Sequence, residues 1–389
     1  MSGLYVHIPF CVRKCRYCDF VSFPDPDGIG DYLALLERET RLRPQEEAGM
    51  PEPFETVYLG GGTPSLLDGD QMQRLMDLLR SRYRIRPDAE ITSECNPGTA
   101  DRGKLAAYAR AGINRLSVGL QSASNALLER IGRIHRLEDF LRCMEDAEAA
   151  GLTNRSADVM HGLPGQTEED YLSTLRTALA CGVRHISSYA LILEEGTPLY
   201  RDVEAGRETL PDGDAVADME DAGIQMLEGA GLARYEISSF AVPGSECRHN
   251  LGYWRNEPYL GLGVAAHSSI RRNGRTVRTA NLGDLPGYGK CVASGMLPYA
   301  SEEEIPAHEE MLETVMVGLR MTAGLDRNAF RSRFGTGLEE AYPDSVRELV
   351  RRDWARLTRE RFFLTKTGLD LQNRALGLFF LESDREAGT

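Results

Sequence analysis

The sequence predicts an α/β fold: a partial, TIM-like (β/α)6 barrel followed by a small, mainly helical C-terminal domain. Its 389 residues are more than one small domain needs. The first two-thirds repeat one theme, a short apolar run rich in β-branched or aromatic residues followed by a longer helical pattern. Strands that alternate with helices pair in parallel through right-handed crossovers. So many units in so short a stretch favour a barrel or part-barrel over a small open sheet.

The strands and helices of the predicted barrel alternate along the chain. Six apolar runs are predicted as strands: Leu4–Phe10, Thr56–Leu59, Glu90–Glu94, Arg115–Leu120, Ala157–His161 and His185–Leu193. Five segments between them have helical periodicity: Asp31–Arg43, Asp70–Arg82, Asp101–Ala111, Leu137–Ala150 and Glu168–Cys181. Gly112, Gly151 and Gly182 each follow a helical pattern, where a left-handed C-terminal cap belongs.

The pattern changes after residue 210. Asp214–Ala230 predicts a helix, and Arg234–Phe240 predicts another strand. The dipeptide Asn273-Gly274 lies between strand-like flanks and predicts a hairpin over Ser268–Thr279. From Ile305 onward the chain is predicted to be mostly helical, ending in a strand-and-turn segment.

We expect two domain boundaries. The first is predicted near residue 210, where the pattern changes, and the second near Tyr299–Pro306, where polar, acidic and proline residues cluster. The expected parts are a core barrel, a barrel extension and a C-terminal domain, at residues 1–210, 211–300 and 301–389.

Composition restricts the function. The chain has 45 basic and 59 acidic residues, a formal net charge of -14, which argues against general nucleic-acid binding because phosphate contacts need a basic surface. No apolar run approaches the roughly 18 residues of a membrane helix, and no signal-like segment precedes Leu4–Phe10. We expect a cytoplasmic protein without a transmembrane segment, and leave open peripheral contact with a membrane.

Three of the eight cysteines lie within one eight-residue stretch. Cys11, Cys15 and Cys18 have the spacing C-x3-C-x2-C directly after the first predicted strand. Three thiolates on one loop suit three corners of an iron–sulfur cluster and leave one iron open, whereas ordinary ferredoxin clusters use four. Soft thiolates favour iron–sulfur clusters or zinc, so a structural zinc site with His7 as a fourth ligand is the alternative. The other five cysteines are predicted to be buried fillers.

This cysteine motif, with the aromatic residue Tyr17 just before the last cysteine, resembles the signature of the radical S-adenosylmethionine superfamily. The resemblance implies a 4Fe-4S cluster on Cys11, Cys15 and Cys18, with S-adenosylmethionine at the open iron. In that superfamily, one-electron reduction cleaves the cofactor to a 5′-deoxyadenosyl radical. The protein supplies positioning, while cluster and cofactor carry the chemistry.

Further motifs at the predicted strand ends resemble the same superfamily, in the same order along the chain. A glycine run after the second strand resembles its GGTP motif, and Glu94-Cys95-Asn96-Pro97 resembles its E-x-N-P motif. The resemblance implies a set of cofactor-binding residues: Tyr5, Tyr17, Gly61, Gly62, Thr63, Glu94, Gln121, Arg133 and Asp158. It assigns no catalytic residue.

Two histidines lie close to these motifs. His135 follows Arg133 by two residues and lies in a motif that resembles one in relatives, and the alternative interpretation is a surface histidine. His161 falls within Asp158–Thr167, which resembles the D-x-x-x-G-L-P-G-Q-T motif of one branch of the superfamily. Relatives more often carry Tyr or Phe at the position of His161, so this residue is a departure from the pattern.

The motifs together resemble the oxygen-independent coproporphyrinogen III oxidase family, which includes the HemN oxidases and the HemW heme chaperones. Two features favour the chaperone branch. The oxidase pattern has a fourth cysteine two residues after the third, where this chain has Phe20. The N-terminal extension of the oxidase is also missing before the first predicted strand. The alternative is an oxidase that decarboxylates porphyrinogen propionates to vinyl groups.

A third feature is the segment His249-Asn-Leu-Gly-Tyr253-Trp254, which resembles the H-N-x-x-Y-W motif of the chaperone branch. The resemblance implies a heme chaperone that delivers heme or a related porphyrin to an acceptor protein. Its candidate heme contacts are His249, Tyr253 and Trp254, because a histidine nitrogen ligates heme iron and aromatic rings stack on a flat macrocycle. His267 is the second candidate for the heme ligand. The alternative for the segment at His249 is a packed aromatic turn with a satisfied histidine.

Overall fold

The computed structural model describes residues 2–46, 49–50 and 52–387. Six strands of the first half lie side by side in chain order and pair in parallel. Strands β1 to β6 span Gly3–Ile8, Phe54–Gly61, Ile85–Cys95, Arg115–Gln121, Asn154–His161 and His185–Ala190. Because they are parallel, their carboxyl ends form one rim. The predicted α/β barrel architecture is confirmed.

Helices connect these strands and cover the outside of the sheet. Helices α1 to α6 span Ile29–Leu42, Gly69–Arg82, Arg102–Ala111, Asn125–Arg130, Leu137–Ala149 and Glu168–Ala180. Capping boxes fix the starts of α2 and α6, where Asp68 and Thr167 accept hydrogen bonds from backbone amides within the first turn. The left-handed cap predicted at Gly112 is present, with φ of 97°. Strand β4 is buried along its whole length, as expected for a parallel strand covered on both faces.

Additional strands extend this sheet on both sides to twelve. The elements after β6 are α7 Pro198–Glu204, α8 Gly213–Gly229, β7 Ala233–Arg234, β8 Ser239–Ala241, α9 Arg248–Trp254, β9 Tyr259–Leu262, β10 His267–Arg272, β11 Arg275–Asn281, α10 Leu285–Ala293 and β12 Tyr299–Ile305. Strand β9 pairs in parallel with β1, and β10, β11 and β12 follow as antiparallel neighbours. The short strands β8 and β7 continue beyond β6.

One local expectation differs from the structure and one is confirmed. The single strand expected at Arg234–Phe240 is the antiparallel pair β7 and β8, joined by a short turn. The segment near Tyr299–Pro306 forms the edge strand β12, and the domain boundary expected there stays a prediction. The hairpin is present, with positive φ of 52° and 79° at Asn273 and Gly274, as a type I′ turn requires.

The C-terminal region has a hydrophobic cluster of its own, which includes Val315, Phe330, Leu349 and Phe379. Its elements are α11 Ala307–Gly318, β13 Leu325–Asp326, α12 Arg327–Phe334, α13 Leu338–Ala341, α14 Pro343–Arg351, β14 Ala355–Leu357, β15 Arg361–Leu364, α15 Lys366–Asp370 and α16 Gln372–Ala387. Three short strands form a small sheet in the order β13-β15-β14. The exact domain boundaries stay a prediction. Within the described residues, no helix is both long and apolar enough to cross a membrane.

Candidate active site

The three clustered cysteines lie on a loop that follows β1 at the carboxyl rim. Cys11, Cys15 and Cys18 are free thiols of intermediate exposure and line one cavity. The backbone closes the base of this loop, because the Cys11 amide donates to the carbonyl of Phe23 at 3.0 Å. Among the described residues, no three His, Cys, Asp or Glu side chains converge as ligands of a single metal ion.

A glycine turn after β2 packs directly under this loop. The Gly62 amide donates to the carbonyl of Ile8 at 2.9 Å, and the Thr63 amide donates to the carbonyl of Phe10 at 2.7 Å. A Cβ atom at Gly62 would lie 2.7 Å from both of these carbonyl oxygens. Gly61 has φ of 105°, which favours glycine. The turn therefore needs glycine so that the cysteine loop can lie against it.

A chain of hydrogen bonds joins two of the cysteines through Asn96. The Thr63 hydroxyl donates to Cys11 Sγ at 3.4 Å, and the Asn96 amide donates to Thr63 Oγ1 at 2.9 Å. Arg133 donates to Asn96 Oδ1 at 2.6 Å and, through its other terminal nitrogen, to Cys15 Sγ at 3.7 Å. One hydrogen-bond donor thus reaches each of two cysteine sulfurs, Cys11 Sγ and Cys15 Sγ.

His135 is a hydrogen-bond partner of Arg133 and is buried, with 4% of its surface exposed. This burial rules out the alternative interpretation of His135 as a surface histidine. Arg133 Nε donates to His135 Nδ1 at 3.3 Å, so the proton of the neutral ring lies on Nε2, which donates to the carbonyl of Leu120 at 3.3 Å. Burial and the Arg133 charge lower the pKa of His135 to about 3, which keeps this acceptor available.

Two partly buried carboxylates, Glu94 and Asp158, face the same cavity. Glu94 accepts hydrogen bonds from the Tyr58 hydroxyl at 3.0 Å and from the Gly61 amide at 3.1 Å. Asp158 accepts from the Ser117 hydroxyl at 3.1 Å and 3.2 Å. Burial, with the charge of Asp158 adding to it, raises the pKa of Glu94 to about 7, and burial also raises the pKa of Asp158. Two acids in one cavity favour a cationic ligand.

The structure brings together nearly all of the residues predicted to bind the cluster and S-adenosylmethionine. Those that line the cysteine cavity are Cys11, Cys15, Tyr17, Cys18, Gly61, Gly62, Thr63, Glu94, Gln121, Arg133 and Asp158. Tyr5 does not line it. Its ring stacks on Tyr58 behind Glu94, and its hydroxyl hydrogen-bonds to His7 Nδ1 at 2.9 Å. His7, expected as a fourth zinc ligand in the alternative, has its other ring nitrogen on the carbonyl of Val21 at 2.8 Å.

Sequence reasoning missed three contributors to this site: Asn96, Ser117 and Tyr189. Asn96 connects Thr63 with Arg133, and Tyr189 donates to Gln121 Oε1 at 3.1 Å. Strand alternation predicts the position of Ser117. This residue lies two and four residues before Gly119 and Gln121, which line the cavity from the same strand.

The candidate heme contacts lie elsewhere. His249 is buried near the start of β1, at the opposite end of the barrel from the cysteines, with 3% of its surface exposed. Its Nδ1 hydrogen-bonds to Thr56 Oγ1 at 2.8 Å and its Nε2 to the Tyr253 hydroxyl at 2.9 Å. Both nitrogens therefore have protein partners, so a role in heme contact would require these bonds to break. His267 is exposed at the start of β10.

Trp254 lines a separate cavity of about 680 Å³ between the barrel and the C-terminal region. Met321 and Phe330 contribute apolar surface to it. Two of its arginines, Arg271 and Arg333, are held by the buried carboxylate of Glu310.

Two protein families match this chain. The radical SAM superfamily model matches residues 5–178, and the HemN C-terminal domain model matches residues 305–371. The parallel barrel and its cysteine rim thus define a radical SAM protein with a HemN-type C-terminal domain. Membership of this superfamily implies a 4Fe-4S cluster and S-adenosylmethionine.

Relatives narrow the family further. The heme chaperone HemW of Bacillus subtilis strain 168 is 36% identical over 384 residues, covering 98% of this chain and 100% of the relative. The heme chaperone HemW of Escherichia coli K12 is 36% identical over 390 residues, with 98% of each chain covered. The chain belongs to the HemW family. The solved structure of coproporphyrinogen III oxidase (HemN) from Escherichia coli has a TM-score of 0.83, with 23% identity over 97% of this chain and 89% of that one, a likeness in fold alone.

Proposed function

We propose that this protein is a heme chaperone, which holds a 4Fe-4S cluster and S-adenosylmethionine at the carboxyl rim of its barrel and passes heme to an acceptor protein. The observation that carries the proposal is the full-length similarity to HemW heme chaperones. Eleven of the predicted binding residues lining one cavity support it, because a binding site needs them together.

The cluster would be held by Cys11, Cys15 and Cys18. The three sulfurs suit it because they are free, lie on one loop and face one cavity. When bound, a cluster with one open iron supplies electrons for cleavage of S-adenosylmethionine. Thr63 and Arg133 donate hydrogen bonds to Cys11 and Cys15, so they would stabilise negative charge on these sulfurs.

S-adenosylmethionine would bind beside the cluster through Glu94, Asp158, Gln121 and the Gly61–Thr63 turn. The two acids suit its cationic ammonium and sulfonium groups. Because a nearby cation favours the ionised carboxylate, binding would lower the pKa of Glu94 and release a proton near neutral pH.

Anaerobic reconstitution with iron and sulfide tests the cluster assignment. The wild type should become brown and gain visible absorbance. Cys15→Ala should lose most of that absorbance, while Cys181→Ala, outside the cavity at the end of α6, should keep it. Normal iron content in Cys15→Ala would refute the assignment, and full zinc occupancy without iron in the wild type would favour the zinc alternative.

The oxidase alternative has weaker support, because it rests on the fold. Phe20, where the oxidase pattern has a cysteine, is 69% exposed at the cavity mouth. We expect the reconstituted protein to bind heme and to release no carbon dioxide from coproporphyrinogen III when cofactor and reductant are supplied. Appearance of the vinyl product would favour the oxidase function over the heme-chaperone function. The acceptor protein and the cytoplasmic location stay proposals.

A further inference from the structure

A cleft of about 580 Å³ opens between the end of β6 and helices α15 and α16. This volume is within the range of about 300–1,000 Å³ that is typical of small-molecule sites. The rings and apolar side chains that line it are His161, Tyr189, Ile192, Ile237, Leu369 and Leu371. Ile192 is 70% exposed at the lip. Tyr189 also lines the cysteine cavity, so one side chain separates the two sites.

His161 differs from the other buried histidines of the chain. Both of its ring nitrogens are buried and have no hydrogen-bond partner among the described residues, and the residue is 3% exposed. Both nitrogens are partnered in every other buried histidine: His7, His135, His185 and His249. Buried polar atoms in proteins are normally satisfied. An imidazole without partners beside a cleft therefore indicates a ligand that supplies one.

The ring of His161 is neutral and packs against the ring of Tyr171. Its centroid lies 5.2 Å from that of Tyr171. Burial, and then the charge of Arg234, lower its pKa to about 4, so a nitrogen lone pair is available at neutral pH. A neutral imidazole is the side chain that most often binds heme iron in proteins.

The charged residues that line the cleft are two arginines and two acids. Arg234 lines it and is paired with Glu220 at 3.0 Å. Arg374 lines it too, and its exposed guanidinium makes no hydrogen bond or ion pair with any described residue. The remaining acid, Asp370, lies 3.7 Å from Lys366. One unpaired cation at the mouth of an apolar cleft suits a flat ligand that carries carboxylates at its edge.

We propose that heme binds in this cleft, with His161 as a ligand to the iron and Arg374 facing a propionate. The inference rests on the proposed heme-chaperone function and locates its cargo. Because both nitrogens are buried in the heme-free structure, the imidazole turns into the cleft when heme enters. The macrocycle then lies between Ile192 and the apolar residues of α15 and α16, one side chain away from the cysteine cavity.

The cavity beside Trp254 is the rival location. It is larger, about 680 Å³, and Met321 is its one side chain of a type that ligates heme iron. It contains no histidine, and Glu310 already holds two of its arginines. The two locations therefore make different predictions for substitutions at His161 and Met321.

Titration of the reconstituted full-length protein with ferric heme tests the proposal through the Soret band and the affinity. His161→Phe keeps an aromatic ring against Tyr171 but removes the nitrogens. It should abolish the histidine-type spectrum and weaken binding roughly tenfold or more. Arg374→Glu lies on the surface and should fold normally. It should leave the Soret position unchanged and weaken binding about two- to fivefold, the range of an exposed ion pair. Met321→Leu, the control, should match the wild type.

A His161→Phe protein that binds heme with wild-type affinity and spectrum overturns the assignment, and so does loss of binding in Met321→Leu alone. If circular dichroism shows that His161→Phe is unfolded, Arg374→Glu decides, and unchanged affinity in that variant overturns the proposal. A wild-type protein that takes up no heme refutes the chaperone function itself. That outcome is distinct from a wild type that binds heme at another place.

Discussion

Replacement of Glu94 by glutamine should stabilise the cofactor-free protein above neutral pH, although it removes a proposed cofactor contact. The Glu94 carboxylate faces the same cavity as Asp158, and burial raises its pKa to about 7. Glutamine can keep both hydrogen bonds, because its carbonyl accepts from the Gly61 amide and its NH2 group donates to the Tyr58 hydroxyl oxygen. It differs from the ionised acid mainly in charge.

The magnitude follows from proton linkage. The ordinary pKa of a glutamate is 4.5, and each pH unit between the unfolded and folded values corresponds to about 1.4 kcal/mol. The raised pKa means that the folded state holds the proton more tightly. Its contribution to stability is therefore complete below about pH 4.5 and is lost as the pH rises to about 7. Above pH 7 the wild type buries a charge at a cost of about 3 kcal/mol, which Glu94→Gln avoids.

Urea unfolding of the cofactor-free proteins between pH 4.5 and 8.5 measures this effect. The difference in unfolding free energy between Glu94→Gln and wild type should grow from near zero at pH 4.5 to about 3 kcal/mol above pH 7. Glu303→Gln, an exposed acid on β12, is the matched control and should show no such growth. A difference that does not change with pH, or a variant no more stable than wild type at pH 8.5, would refute the reasoning. The same variant should bind S-adenosylmethionine more weakly.

Three further substitutions test the packing of the site and of the barrel. Gly62→Ala should cost about 1–3 kcal/mol of unfolding free energy, because its Cβ meets two backbone carbonyls. The same variant should have a lower iron content after reconstitution. The control is Gly30→Ala, which has open space around it in α1 and should be neutral or stabilising by up to about 1 kcal/mol in the same urea titration. Asn96→Ala should cost about 1.5–3 kcal/mol, because Arg133 loses one of its hydrogen-bond acceptors, and iron should leave the reconstituted protein faster than from wild type in the presence of a chelator. His249→Ala should lower the stability of the heme-free protein by about 2–4 kcal/mol, because two buried hydrogen bonds and a packed ring are lost; unchanged heme-free stability would contradict its packing role.

The barrel and its rim could be predicted because the signals are local. A glycine such as Gly112 marks a helix end within its own turn, and the cysteine spacing is complete within eight residues. Parallel strands then bring distant motifs to one rim, so Glu94 and Asp158 meet although they are far apart in sequence. This geometric consequence requires only that the strand–helix alternation is identified correctly.

The sequence is less informative where a residue's environment is set by distant partners. Nothing near His249 in sequence shows that Thr56, 193 positions away, satisfies its ring. The burial of His135 depends on the Arg133 side chain and the Leu120 carbonyl, which only the folded chain brings to both sides of the ring. The acidic segment at Tyr299–Pro306 has the composition of a linker, and its pairing with β11 becomes visible only in the folded sheet.

The two edges of the twelve-stranded sheet determine how this protein can associate with others. One edge is β7, which is two residues long, and the other is β12, which presents Glu302, Glu303 and Glu304 to solvent. A short edge offers few free backbone groups, and a charged edge repels an incoming strand. The sheet is therefore protected against growth into fibres at both ends. A protein that docks on this chain is therefore expected to contact side chains rather than to add a strand to this sheet.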